Sequence, residues 1–294
     1  MLRYTLLISL FAILSTSATA SAQGAPGMVT SGAASLEITS FSATNGYSSD
    51  LESADGTDHR FAFGIWYRIG TTGGETALGT PTTADYTADV ATLTYTDVDS
   101  TGLDIVVTIT VSEPSAGQAA FAVSVSTTNT TSASVDLELF GYVDAEADGG
   151  SLGDSATLTS ALPTPSILVT DSGATVSFSG TAVDSFQVID YSNLRTLLND
   201  ATPTTLDGTG LPFVDDDWTG AYGWSQTLTA GASFVADFAV EAAESTTTDG
   251  GVADAGTDAA TDAGTDAATD AGTDAATDGG TTTDSGTTTD GGTT

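Results

Sequence analysis

The chain has 294 residues, no cysteine, a single histidine and four basic residues against 39 acidic ones, a formal net charge of −35. The missing cysteine excludes a disulfide framework, a lipid-modified cysteine anchor and thiolate metal ligands. So negative a chain repels phosphate backbones and anionic lipid, which excludes nucleic-acid and membrane-surface partners.

The N-terminal stretch MLRYTLLISLFAILSTSATASAQG has the three parts of a secretory signal. Arg3 gives the positive start and Thr5 to Leu14 the apolar run. Ala18-Thr19-Ala20 and Ala20-Ser21-Ala22 are overlapping small-x-small cleavage sites. Cleavage is expected after Ala22, with Ala20 as the alternative, so residues 1–22 are read as a signal peptide and 23–32 as a short linker. The apolar run falls short of the roughly 20 residues that cross a bilayer. The expected product is secreted or held at the cell surface, without membrane insertion.

Residues 33–244 are expected to form one β-sandwich body. Ten of the acids lie from Asp249 onward, which leaves the body 29 acids and three arginines, near −26. Period-two alternation, the mark of strands with one apolar face, recurs through it. In RFAFGIWYRI, Phe61, Phe63, Ile65, Tyr67 and Ile69 share a face; in LDIVVTITV, Leu103, Ile105, Val107, Ile109 and Val111 do so. After the turn SEPSAGQ, Phe121, Val123 and Val125 continue the pattern, which predicts a hairpin. VDLELFGYV alternates Val135, Leu137 and Leu139 with polar neighbours, and SILVT and TVSFS flank the turn residues Asp171-Ser172-Gly173. Helical spacing appears only at YSNLRTLL, Tyr191 to Leu198, for one or two turns. Last, YGWSQTL and SFVADFAV flank Thr229 to Ala232, with Phe234, Ala236, Phe238 and Val240 inward.

One polar and one apolar face per strand predicts an all-β fold, an antiparallel two-sheet β-sandwich. Two immunoglobulin-like modules are the alternative, although no Pro/Gly-rich linker divides the body. An outer-membrane barrel would need aromatic girdles on its lipid face.

From Ser245 to Thr294 the composition collapses to Asp, Thr, Ala and Gly, with Asp254, Asp258, Asp262, Asp266, Asp270, Asp274 and Asp278 in strict steps of four. On a helix these acids would stack as repelling i,i+4 pairs, and no apolar face exists to bury. Extended, neighbouring carboxylates lie about 13 Å apart, beyond the Debye length of about 8 Å at physiological salt. A disordered spacer is expected, with an r.m.s. span of roughly 35–42 Å.

The segments FAFGIWYRIG, TNTTSASVDLELFGYVDAEAD and WSQTLTAGASFVADFAV resemble a loosely defined group of secreted bacterial β-sandwich domains without assigned function. In that group a Trp-Tyr-Arg strand comes early and a final hairpin carries Trp, Leu and a turn glycine. The tail is similar in composition to the Asp/Thr/Ala/Gly-rich linkers of secreted myxobacterial proteins.

Catalytic chemistry has few parts here. With one histidine, His59, and no lysine, triads, Schiff bases and zinc centres lack residues. His59 in TDHRF reads as a loop residue paired with an acid. No catalytic residue is assigned and no enzyme is expected. The reading is a structural, adhesive or interaction protein, with extracellular polysaccharide or another surface protein as partner.

Two sets of residues could bind a ligand. DAEADGG, DDDWTG and DVDSTG place Asp144, Glu146 and Asp148, Asp215 and Asp217, and Asp97 and Asp99 at alternate positions ahead of a glycine. Such spacing resembles the start of a calcium loop, and calcium is the one cofactor considered; the alternative is an acidic solvated turn. Trp218, with Tyr222 or Trp66, is the candidate sugar-stacking platform of a carbohydrate-binding module, against core packing of the same rings.

Overall fold

In the computed structural model, residues 24–53, 59 and 61–244 are described. The expected signal peptide and tail lie outside them. In chain order the strands are β1 (Gly27–Ser31), β2 (Ala34–Ser42), β3 (Gly46–Glu52), β4 (Phe61–Ile69), β5 (Thr76–Ala77), β6 (Thr83–Thr87), β7 (Val90–Tyr95), β8 (Leu103–Ser112) and β9 (Gln118–Asn129). Then come β10 (Val135–Asp144), β11 (Asp154–Ser160), β12 (Ser166–Asp171), β13 (Ala174–Thr181), β14 (Ser185–Asp190), helix α1 (Asn193–Leu198), β15 (Phe213–Asp216), β16 (Trp218–Leu228) and β17 (Ser233–Ala243).

Two antiparallel sheets result. Sheet one runs β1-β2-β3-β4-β10-β16-β14, with β5 beside β4, and sheet two runs β15-β11-β12-β13-β17-β9-β8-β7-β6. Alternation sets the register: Ile105, Val107 and Ile109 of β8 and Phe121, Val123 and Val125 of β9 all turn into one core, as do Leu137 and Leu139 of β10. The strands of the two chain halves interleave around that core, so the chain does not split into two immunoglobulin-like modules. Four edge strands, β1, β14, β15 and β6, leave both sheets open, unlike a barrel.

One boundary and one strand pairing differ from the sequence expectation. The sandwich begins before residue 33, because Gly27–Ser31 pairs with β2 and buries Val29. Gly32, at φ +61°, makes the tight turn between them. The last two strands are not a hairpin. β16 pairs with β10 and β14, whereas β17 pairs with β13 and β9. The chain crosses between sheets around Asn129, whose Nδ2 donates to the carbonyls of Ala133, Leu228 and Thr229.

Sheet one is apolar on both faces where α1 covers it. Trp66, Phe140 and Tyr142 point away from the main core and meet Leu194 and Leu198 of the helix and Leu206. The segment after α1 is fastened by Arg68, which is buried, ion-paired to Glu75 and Glu138, and donates to Thr204 O at 3.1 Å.

Candidate functional site

β10 and β16 are neighbours, with Asp144 opposite Thr219. Along β10, Tyr142 and Asp144 share a face, and the alternation carries on past the strand end: Ala145 and Ala147 turn into the main core and Glu146 to the other side. On β16, Trp218 turns into the core against Phe178, at 6.1 Å between ring centroids. Its neighbour Asp217 therefore faces the opposite way, toward Asp144. One carboxylate oxygen each from Asp144, Glu146 and Asp217 lies within 4.8 Å of the others.

A fourth acid comes from sheet two. Asp154, the first residue of β11, is fully buried, and neither carboxylate oxygen closes a hydrogen bond. The backbone N–H groups of Trp218 and Ala147 favour its ionised form. Asp144 Oδ1, Glu146 Oε2, Asp217 Oδ1 and the buried Tyr142 hydroxyl also lack hydrogen-bond partners.

Such surroundings resist negative charge. Burial, then the neighbouring Asp217, pushes Asp144 up to about 7; the Arg195 guanidinium and the Tyr142 hydroxyl pull the other way. Burial, then Asp144 and Asp217, raises Glu146 to about 8. Asp154 rises to about 7, mainly through burial, and Asp217 is raised by burial and by Asp216. Carboxylates placed like this take up protons or a cation. Oxygens that ligate one calcium at about 2.3–2.6 Å are at most about 5 Å apart, which the cluster satisfies. An all-carboxylate set suits a hard cation rather than zinc or copper.

The other predicted ligands fall elsewhere. Asp148 is exposed, and its Oδ1 accepts the N–H of Gly150 at 2.8 Å in a local turn, so the glycine pair draws it out of the pocket. Asp215, at φ 56°, is exposed on β15, where its N–H meets Ser155 Oγ at 3.3 Å. Asp97 Oδ1 accepts from Gly102 N at 2.8 Å and Asp99 Oδ2 from the Tyr67 hydroxyl at 2.6 Å. Asp97 thus serves its own turn, and Asp99 ties that turn to β4. His59 lies outside the strands, as expected, but is buried, with Nδ1 at 3.1 Å from Ala147 O.

The aromatic platform is not a surface at all. Trp218, Tyr222 and Trp66 are each at 0% exposure. Trp218 opens a strand instead of sitting in a loop, and the core takes its ring. Tyr222 stacks on Phe178 at 4.0 Å and donates to Phe178 O at 2.7 Å. Trp66 lies under α1 and donates from Nε1 to Asn199 Oδ1 at 3.0 Å.

No protein-family model and no curated protein matches the chain. Among solved structures, a polysaccharide lyase is similar over 73% of this chain and 33% of its own, at 12% identity and TM-score 0.44. A bacterial glucoamylase complexed with acarbose is similar over 76% and 33%, at 8% identity and TM-score 0.46. A galactose mutarotase-like protein from Lactobacillus casei ATCC 334 is similar over 74% and 100%, at 9% identity and TM-score 0.39. The chain thus spans about a third of the lyase and of the glucoamylase. At these scores the likenesses carry no argument about function.

Proposed function

We propose that the chain is a secreted or cell-surface β-sandwich of structural or adhesive type, without catalytic activity, stabilised by a calcium ion held by Asp144, Glu146 and Asp217. The carrying observation is the convergence of these three carboxylates to within 4.8 Å, with oxygens that no protein donor satisfies. Asp154, fully buried and close enough to act on Asp144 and Glu146, adds negative potential when it ionises, and a divalent ion neutralises that potential. A weak extracellular-type site suffices: at ten times Kd, binding adds about RT ln 11, roughly 1.4 kcal/mol, to stability. That helps a domain with no disulfide. The secreted location rests on the signal-like N-terminus, and the mature protein is expected to begin at Gln23.

Thermal unfolding of the full chain tests the cation. Calcium should raise Tm more than magnesium at matched ionic strength, and Glu146→Gln should remove the difference. An equal response to both ions, surviving that substitution, would mean only general screening of a polyanion.

A further inference from the structure

The cation reading leaves coordination positions open. Calcium takes six to eight oxygens, and three carboxylates fill that number only if each binds through both of its oxygens. Two buried groups outside the trio act on it electrostatically and have unsatisfied polar atoms: Asp154 and the Tyr142 hydroxyl. Asp144, Glu146 and Asp154 are buried, whereas Asp217 is half-buried, so the cluster is most accessible on the Asp217 side.

That side is bordered by the end of β14. Asp190 pairs with Trp218, and Tyr191 N donates to Asp217 O at 2.9 Å. The Tyr191 side chain reaches solvent at 42% exposure. The Arg195 guanidinium stacks 4.7 Å from the centroid of that ring, and its Nη2 donates to the Tyr191 hydroxyl at 2.7 Å. Arg195 is also close enough to act electrostatically on Asp144 and on the Tyr142 hydroxyl. An exposed amphipathic ring and a guanidinium therefore lie on the accessible side of the carboxylate cluster.

The chemistry of that border selects a polyol. Adjacent sugar hydroxyls replace two waters on a hard cation, oxygen for oxygen. An aromatic ring takes the C–H face of the sugar, and a guanidinium donates to its oxygens. The excess of carboxylates over the body repels polyanions and so favours a neutral chain. Resting on the cation reading, we propose that this rim is a calcium-dependent binding site for a neutral saccharide. Vicinal hydroxyls complete the coordination of the ion held by Asp144, Glu146 and Asp217, while Tyr191 and Arg195 contact the sugar ring.

The test applies the full chain to immobilised mannan and galactan in calcium, followed by elution with EGTA. Retention on one of these and release by EGTA are expected. Tyr191→Ala should weaken retention about ten-fold, and Arg195→Gln should weaken it too, while both variants keep the calcium-induced rise in Tm. If calcium still raises Tm but neither glycan retains the wild type, the saccharide site is overturned and the cation reading stands. Retention that survives EGTA or both substitutions also overturns it, as does retention only on an anionic pectate matrix. If calcium leaves Tm unchanged, the cation reading itself falls, and the saccharide site with it.

Discussion

The turn at Asp97–Gly102 and the pocket at Asp144–Asp217 hold the same kind of side chain under opposite conditions. In the turn, Asp97 accepts from Gly102 N and Asp99 from the Tyr67 hydroxyl of β4, so each carboxylate has a donor within the protein. In the pocket, two neighbouring strands and the start of β11 bring carboxylates together from distant parts of the chain, and burial withholds both water and donors. The acids in the turn act as hydrogen-bond acceptors for a fold that needs nothing more. Those in the pocket lack acceptable partners within the protein, which is the condition under which an ion binds. Local spacing alone does not separate the two cases.

The largest expected effect is on what aims the pocket. Trp218→Ala should cost about 3–5 kcal/mol of unfolding free energy, as for other large buried rings, read by denaturant unfolding. A cost below about 1 kcal/mol, within the range of surface substitutions, would mean that Trp218 does not anchor β16 in the core.

The second concerns pH. Folding raises the pKa of Asp144, Glu146 and Asp154 from 3.8, 4.5 and 3.8 to about 7, 8 and 7. Between those limits the folded state binds more protons than the unfolded one, so stability falls as pH rises. The pocket's contribution in ion-free protein is thus full below about pH 4 and lost through pH 7–8. Calcium should flatten that slope, and Asp154→Asn should reduce it in EGTA. A pocket contribution that grew with pH without calcium would contradict the pattern of burial described.

Third, Asp217→Asn should abolish the calcium increment of roughly 1.4 kcal/mol at ten times Kd, whereas Asp148→Ala should leave it intact. Calcium titrations followed by Tm separate the two. Smallest is the turn itself: Asp97→Ala should cost about 1 kcal/mol, the worth of one hydrogen bond, equally with and without calcium. A calcium-dependent cost there would erase the distinction between the two acidic regions.

The sandwich was legible because its strands alternate at period two, and Leu103 to Val111 shows that pattern unbroken. Three features were not legible, and each depends on pairing between distant segments. Trp66 is buried on the face opposite the main apolar row because α1 and Leu206 cover it, and nothing in RFAFGIWYRI reports that cover. Trp218 reads as a loop residue beside three aspartates, yet its pairing with Asp190 makes it the start of a strand. Of the pocket, Asp144, Glu146 and Asp217 were legible as acids at alternate positions. Their meeting required β10 to lie beside β16. Asp154, a lone acid before an alternating run, carries no local mark at all.

The placement of the last two strands also bears on how the chain reaches its folded state. β16 lies inside sheet one between β10 and β14, and β17 lies inside sheet two between β13 and β9. Until Trp218–Ala243 has been synthesised, each sheet lacks an interior strand, and β14 lacks the strand it pairs with. Such long-range closure makes folding slow relative to chains of local contacts. A chain of this topology completes its two sheets only once its last two strands are available.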